Sequence, residues 1–427
     1  MNAIRAIQAI RGMNDILPDE MRAWQHIEHH ARTLLDAYGY EEIRPPMVER
    51  TELFRRSIGE VTDIVEKEMY TFDDRNGESL TLRPECTASV VRAAIQHGLL
   101  RTPGRRVWTM GPMFRYERPQ KGRYRQFHQI DVEILGIAAP SAEAELILLT
   151  RRLWKALGIS GLALELNSLG SRDIQARYRA RLVEYFSAHA SALDADSLRR
   201  IETNPLRILD SKNPSMQALI EKAPQIGDEY DDDARAHLDR LLAMLDEAGV
   251  AYRLNPRLVR GLDYYTATVF EWTTSELGAQ GAVCGGGRYD NLVAEIGGPA
   301  NPAIGFAIGL ERLVALLEAQ SVEIPATVPH AYLAAAGTRA SILAHAVSER
   351  LRDAVPELRL VVDAGQGSFK AKLKRADRSG ARIALLLGEE EALSGRIAVK
   401  DLRARAPQST VSIDELAGHV ARNVFAR

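Results

Sequence analysis

The sequence predicts an α/β protein in two parts: a large α+β body whose antiparallel sheet is flanked by helices, and a smaller α/β domain at the carboxyl end. Three observations carry this. Two runs with strand character, RRVWTMGPMFRYE and FHQIDVEILG, are separated only by a short polar loop, the pattern of a hairpin. Residues 171–249 read as mostly helical and poor in strands. Beyond Pro325 and Pro329, apolar runs alternate with amphipathic segments, the pattern of a second sheet with its own helices.

Taken in order, residues 18–38 space Trp24, Ile27, Ala31, Leu34, Leu35 and Tyr38 at helical intervals, and Gly39 supplies the stop. His26, His29 and His30 lie off that stripe and match no His-Glu-x-x-His spacing, so they belong to a solvated face. The stretch YEEIRPPMVE is extended, because Pro45 and Pro46 disfavour helix and confine it to a sheet edge or an interface. From residue 80 the order is strand (SLTLR), helix (PECTASVVRAAIQ), strand, loop (RPQKGRYRQ) and strand. The acidic run DEYDDDAR near residue 230 reads as a helix start or solvated loop rather than a metal site. Strand character returns at LDYYTATVFEW and again before the helix LERLVALLE. The body is therefore expected to span 1–325, with 171–249 as a helical insertion, and the second domain 330–427. In that domain AYLAAAG, LRLVVDAG, RIALLLG and RIAVKDL are strands, with helices at about 340–353, 368–379 and 412–425.

A chain of 427 residues, 46% hydrophobic and 26% charged, can bury a large core. No run approaches the roughly 18 apolar residues of a membrane helix, and MNAIRAIQAIRG lacks the apolar core and cleavage site of an export signal. Only Cys86 and Cys284 occur, far apart, which supports neither a disulfide framework nor a cysteine zinc site; a reducing cytoplasm is the expected compartment. Residues 326–427 hold sixteen Lys and Arg against eleven Asp and Glu, a net +5, which leaves −7 for the body. A basic module on an acidic body hints at a polyanionic partner, although random surface charge explains that number equally well.

The loop RPQKGRYR at 118–125 holds four cations and no anion. On the strand after it, period-two alternation sets Gln129, Asp131 and Glu133 on one face and Ile130, Val132 and Ile134 on the other; Arg115 and Glu117 are expected to share a side of the strand before. Such a hairpin makes a pocket for an anion and a cation together, or else turns its polar face to water. Further along, Arg260, Gly261, Asp263, Tyr264 and Tyr265 are expected to begin a strand, and Arg312 sits where AIGFAIGL turns into a helix. Arginine suits a phosphate because its planar fork donates two parallel hydrogen bonds and keeps its charge, so three separated arginines near Gly305 and Gly309 fit a nucleoside triphosphate. No Gly-x-x-x-x-Gly-Lys loop is present. The run CGGGRYDN at 284–291 is too glycine-rich for a strand interior and is expected to pass a ligand close to the backbone.

Together these segments resemble the class II aminoacyl-tRNA synthetases, and within them the histidyl-tRNA synthetase family, over nearly the whole chain. EIRPPMVE with its preceding helix is similar to the first class motif at the dimer interface, MFRYERPQKGRYRQFHQIDVEILG to the second, and GFAIGLERL to the third. RPECTA, RGLDYYTATVFEW and GGGRYDNL are the histidine-specific signals. The resemblance implies that Glu85, Thr87 and Gln129 hold the histidine α-ammonium and that Glu133, Tyr264 and Tyr265 line the imidazole pocket. It implies that Arg115 binds the α-phosphate and the histidine carboxylate, Arg123 the β or γ phosphate, and Arg312 the adenine and γ-phosphate. Arg260 becomes the distinctive catalytic arginine, beside the α-phosphate and the bound histidine. Arg118, Gln120 and Arg125 become contacts for the tRNA acceptor end with its extra 5′ guanosine. Lys370 and Lys372, in a helix with six cations and one anion over 368–382, suit phosphate contact in the anticodon-binding domain, unless that helix is simply a solvated face.

Asp131 stands where a small or neutral residue is expected; it either points at solvent or strengthens the hold on a cationic ligand. Cys86 is a packing residue, with no activating His nearby in sequence. The implied partners are histidine, ATP with Mg²⁺, the tRNA for histidine and a second copy of the chain, with no membrane and no protein-held metal. The rival expectation is a non-enzyme, the synthetase-like regulatory subunit of ATP phosphoribosyltransferase, which shares the core fold. That paralogue typically lacks the anticodon domain and erodes RGLDYY, and both are intact here.

Overall fold

In the computed structural model, which describes residues 6–425 apart from 60, 61, 63, 210, 212, 279, 280 and 405, the chain divides into two units, Met1–Ile324 and Pro325–Arg427. The larger opens with α1 (Met21–Ala37), which buries Trp24, Ile27, Ala31 and Leu35 as its spacing requires. Next come β1 (Glu41–Glu42), β2 (Val48–Arg50), α2 (Thr51–Ile58), β3 (Tyr70–Asp73), β4 (Ser79–Leu82) and α3 (Thr87–Gln96). The hairpin is β5 (Arg105–Phe114) with β6 (Gln126–Leu135), followed by α4 (Ser141–Ala156) and β7 (Ala163–Ser168). Four helices then intervene, α5 (Arg172–Ala188), α6 (Ala195–Thr203), α7 (Gln217–Glu221) and α8 (Asp232–Glu247). The unit closes with β8 (Arg253–Leu254), β9 (Thr266–Thr273), β10 (Ala282–Arg288), α9 (Leu292–Glu295), β11 (Ala303–Gly309) and α10 (Leu310–Ala319).

Eight strands form one sheet in the order β1-β5-β6-β11-β10-β9-β7-β8, antiparallel throughout its middle and parallel only at the two edge pairs. Pro45 and Pro46 fall between edge strand β1 and β2, which belongs to a small sheet β2-β4-β3, so neither proline removes a ladder bond from a strand. Ile130, Val132 and Ile134 of β6 pack with α1, α4 and α10 residues in the main core. The opposite face of β6 is not in water: Asp131 and Glu133 are also buried.

The helical stretch is inserted between β7 and β9, which pair with each other. Ser171 Oγ caps α5 and Asp231 caps α8 by accepting the N–H groups of Ile174 and Ala234, so the acidic run is a helix start. The insertion does not stand apart, because Tyr178, Leu182 and Phe186 share one apolar cluster with Tyr264, Tyr265 and Tyr289.

Two expectations fail here. The strand predicted from Arg260 begins only at Thr266, which leaves Arg260, Gly261, Asp263, Tyr264 and Tyr265 in the loop before it. CGGGR is the C-terminal part of β10, an inner strand flanked by β9 and β11. A Cβ on Gly285 would overlap the Arg260 guanidinium, and one on Gly286 would meet the Phe306 side chain at 2.6 Å, so the missing side chains are a packing requirement.

The smaller unit comprises β12 (Ala331–Ala335), α11 (Thr338–Ala354), β13 (Leu360–Val362), α12 (Phe369–Arg378), β14 (Ile383–Leu387), α13 (Glu389–Ser394), β15 (Arg396–Asp401), β16 (Ser409–Ser412) and α14 (Leu416–Phe425). Its sheet runs β13-β12-β14-β15-β16, parallel in the first three strands. The last helix starts later than residue 412 because Ser409–Ser412 is an edge strand, four residues without the alternation that marks one. Among the described residues no helix is long and apolar enough to cross a membrane.

Candidate active site

A cavity of about 650 Å³ opens over the middle of the large sheet, lined from β6, β9, β10, β11, the start of α3 and the loop at 258–265. Glu85 precedes α3 and its carboxylate accepts the N–H groups of Thr87 and Ala88 at 2.9 and 3.0 Å, which fixes it at the positive end of that helix. Tyr264 Oη reaches the same carboxylate at 3.4 Å. Thr87 Oγ1 donates to Glu133 at 2.7 Å. Gln129 and Asp131 alternate along β6 toward the cavity, and Gln129 Oε1 is buried with no partner.

Among the described residues Asp131 is the one buried group with two unpartnered polar atoms. It is 1% exposed and neither carboxylate oxygen has a hydrogen bond. Burial first, and the Glu85 charge second, push its pKa up to about 8. An empty acceptor of this kind, beside Glu85 and Gln129, lacks a cationic donor. The expectation that Asp131 points at solvent is thereby overturned.

Glu133 lies behind the cavity wall rather than on it. Thr87 and the Tyr289 hydroxyl hydrogen-bond it, and a Cβ on Gly305 of β11 would occupy the space of its carboxylate. Burial raises its pKa well above the ordinary value despite those bonds. Tyr264 and Tyr265 stand 4.7 Å apart between ring centroids, and Tyr289 packs edge-on to Tyr264 at 5.6 Å. Tyr289 lies within GGGRYDN, where nothing local in the sequence marks it as the partner of Glu133, far away along the chain.

Six arginines line the cavity; besides Arg207 and Arg257 they are the four singled out in the sequence, Arg115, Arg123, Arg260 and Arg312. Arg115 lies one residue past the end of β5, not on the strand, with Nε donating to Pro84 O at 2.8 Å and its guanidinium over Phe127. Arg260 pairs with Glu271 of β9 across Gly285 and lies over the Tyr265 ring. Arg312, in the first turn of α10, donates to Gly122 O of the hairpin loop and to Ala282 O. Arg123 reaches the cavity from that loop but is paired with Glu117 and, at 3.6 Å, with Glu68. Neither carboxylate was singled out as a partner for it in the sequence.

Gly122 and Tyr124 of the loop also line the cavity, whereas Arg118, Gln120 and Arg125 do not. Arg118 and Gln120 are exposed. Arg125 is half-buried, stacked on Tyr116 at 4.0 Å, and its N–H donates to Gly12 O at 2.7 Å. In the smaller unit, Lys370 is exposed on α12, whereas Lys372 is buried and its Nζ donates to Gly365 O at 2.8 Å. Lys372 therefore supports its own domain and is withdrawn as a surface contact; Lys374 and Arg378 are exposed on the same helix.

Residues 12–313 match the family model for histidyl-tRNA synthetase, and residues 330–423 match that for an anticodon binding domain. The chain belongs to the histidyl-tRNA synthetase family. A histidine–tRNA ligase of Alkalilimnicola ehrlichii is 57% identical over 418 residues, which cover 98% of this chain and 97% of that one. The apo structure of S. aureus histidyl-tRNA synthetase superposes with a TM-score of 0.82 at 33% identity, covering 97% of this chain and all of the other. A Bacillus halodurans structure described as an ATP phosphoribosyltransferase regulatory subunit/histidyl-tRNA synthetase matches with a TM-score of 0.63 at 22% identity, covering 87% of this chain and 97% of its own. That likeness is one of fold alone; the family match and the full-length identity are what assign the chain.

Proposed function

We propose that the chain ligates histidine to its cognate tRNA through a histidyl-adenylate, and that the unpartnered Asp131 carboxylate is the observation that best supports the site. An α-ammonium among Glu85, Thr87, Gln129 and Asp131 satisfies the buried acceptors there. Tyr264 and Tyr265 line the cavity and offer an imidazole ring their phenols, with the Glu133–Tyr289 pair behind them, a polar set that rejects apolar side chains of similar size. In the first step a histidine carboxylate oxygen attacks the α-phosphorus of ATP, the α–β anhydride bond breaks, and pyrophosphate leaves. Arg115 and Arg260 stabilise the charge that builds on the α-phosphoryl oxygens, while Arg312 and Arg123 hold the rest of the triphosphate. For Arg123 this means exchanging Glu117 and Glu68 for phosphate oxygens. In the second step the terminal 3′-hydroxyl of the tRNA attacks the acyl carbon and AMP leaves.

No protein nucleophile is required; Cys86 and Cys284 are buried and burial raises both thiols. Among the described residues no cluster of three metal-ligating side chains exists, yet the cavity offers Glu271 and Glu311, which suits a Mg²⁺ that arrives on the ATP phosphates. Mg²⁺ supplies further neutralisation of the triphosphate. The tRNA contacts proposed are Arg118, Gln120 and Arg125 at the acceptor end, and Lys370 with Lys374 and Arg378 on the smaller unit. We also infer a homodimer in the cytoplasm. The register of β2, β4 and β3 lines up Val48, Leu82 and Tyr70, then Arg50, Leu80 and Phe72, on one face, and Met47, Val48 and Phe72 remain 50%, 37% and 46% exposed. A second copy covering that face is the economical solution.

The test is direct charging: histidine, ATP and the histidine tRNA should give histidyl-tRNA with stoichiometric AMP, and no acylation under these conditions would reject the reading. A regulatory subunit would bind histidine without consuming ATP.

A further inference from the structure

Arg288 ends β10 and does not line the cavity. It is 1% exposed, yet its guanidinium is fully engaged: Nε and Nη2 donate to the two oxygens of Glu143 at 2.8 and 2.6 Å, and Nη1 to Ile137 O at 2.9 Å and Asp290 at 3.2 Å. Nη2 also reaches Ala139 O at 3.4 Å. Glu143, on α4, is completely buried and takes a third bond from His237 Nε2 of α8 at 2.7 Å. Burial pushes the Glu143 carboxyl up, and the bonds from His237 and Arg288 more than offset it, holding it below the usual range. Well-packed apolar residues would stabilise such a position at least as well as an ion pair, so stability alone does not explain this cluster.

Its geometry does. The residue after Arg288 is Tyr289, whose hydroxyl holds Glu133. Ile137 and Ala139, whose carbonyls Arg288 grips, belong to the segment that continues β6 just past Glu133. One guanidinium thus fixes the chain on both sides of the Glu133–Tyr289 contact, and α4 and the insertion helix α8 hold that guanidinium in turn.

We propose that Arg288, held by Glu143 and His237, is a positioning residue for the Glu133–Tyr289 contact that backs Tyr264 in the cavity wall, and so sets amino-acid specificity without touching the amino acid. This rests on the histidine reading above. Supports behind a lining residue matter because a recognition group displaced by a fraction of an ångström loses its hydrogen bond while binding elsewhere is kept.

The experiment uses the full chain with Arg288→Lys, Tyr289→Phe and the double substitution, with ATP–pyrophosphate exchange as readout. Each single change should raise the histidine KM about tenfold, the scale seen when the outer support of a bound group is removed, with the ATP KM held within about twofold. The double variant should be no worse than the poorer single one, since the two residues act on one contact. Discrimination against a histidine analogue with thiazole in place of imidazole should narrow in Arg288→Lys. A merely structural role would lower the active fraction, and hence kcat, with both KM values unchanged; that result, or additive effects in the double variant, overturns the proposal. Should Arg288→Lys fail to fold, His237→Leu leaves Arg288 in place and should raise the histidine KM about threefold; an unchanged value in that folded variant also overturns it. Failure of the function itself would look different, as absence of histidine-dependent exchange in the unaltered chain.

Discussion

On the proposed function, the Asp131 carboxyl without a partner is the pH-dependent part of the ammonium site. Its pKa rises from 3.8 to about 8 in the folded chain, so across that window the fold binds a proton that the unfolded chain has released. Stability of the empty protein therefore contains a contribution that is lost as pH rises toward 8. If the histidine ammonium pairs with this carboxylate as proposed, binding below pH 8 must expel that proton, and affinity should strengthen with pH by up to about tenfold per unit between pH 6 and 8. Titration calorimetry checks this: Asp131→Asn should flatten the slope and weaken binding by roughly ten- to a hundredfold, the worth of a charge-assisted hydrogen bond. A parallel pH slope in both proteins would remove Asp131 from the ammonium site. Alternation along HQIDVEIL made Gln129, Asp131 and Glu133 legible as one face. That the face is buried was not legible, because a polar face on an antiparallel strand reads as solvated until the elements covering it are known. Lys372 was misread for the mirror reason, as a cation within a basic helix whose stem and ammonium turn inward to Gly365 O.

The inner strand β10 shows how an element serves chemistry by what it lacks. Arg260 lies over Gly285 and pairs with Glu271 on the neighbouring strand, so Gly285→Ala should drive the guanidinium from its place. We expect Gly285→Ala to reproduce much of the effect of Arg260→Ala. In both, adenylate formation slows by about a hundredfold or more, while histidine binding stays measurable, because the lost contact matures as charge moves onto the α-phosphoryl group. Pre-steady-state adenylate formation distinguishes the outcomes; Gly285→Ala with an unchanged rate would show that Arg260 does not act from this position. Glycine content argued against a strand here, since three glycines forfeit strand propensity. Pairing on both sides outweighs that propensity, and the sequence contains no local sign of the partners that need the space. By contrast the hairpin of β5 and β6, α1 and the strands at 331–335 and 383–387 were legible, because each declares its period or its apolar run locally.

At the scale of the molecule, the residues assigned to ATP and histidine all lie in Met1–Ile324, and the basic helix α12 lies in Pro325–Arg427. A chain ended after residue 325 should activate histidine within about threefold of the full chain, yet lose about tenfold or more in tRNA charging at moderate salt, with a shallower salt dependence as phosphate contacts disappear. Sedimentation belongs beside that assay, since the exposed Val48–Phe72 face predicts a dimer in both chains; a fully active monomer would refute the covered face. The two-unit plan was visible at the Pro325 and Pro329 breaks, whereas the packing of the insertion against Tyr264 and Tyr265 depends on contacts far apart in sequence. The most direct measurement is ATP–pyrophosphate exchange with each of the amino acids supplied singly. Exchange well above background with histidine, and with no other amino acid to a comparable degree, is the predicted result; exchange driven by a different amino acid, or by none, contradicts it.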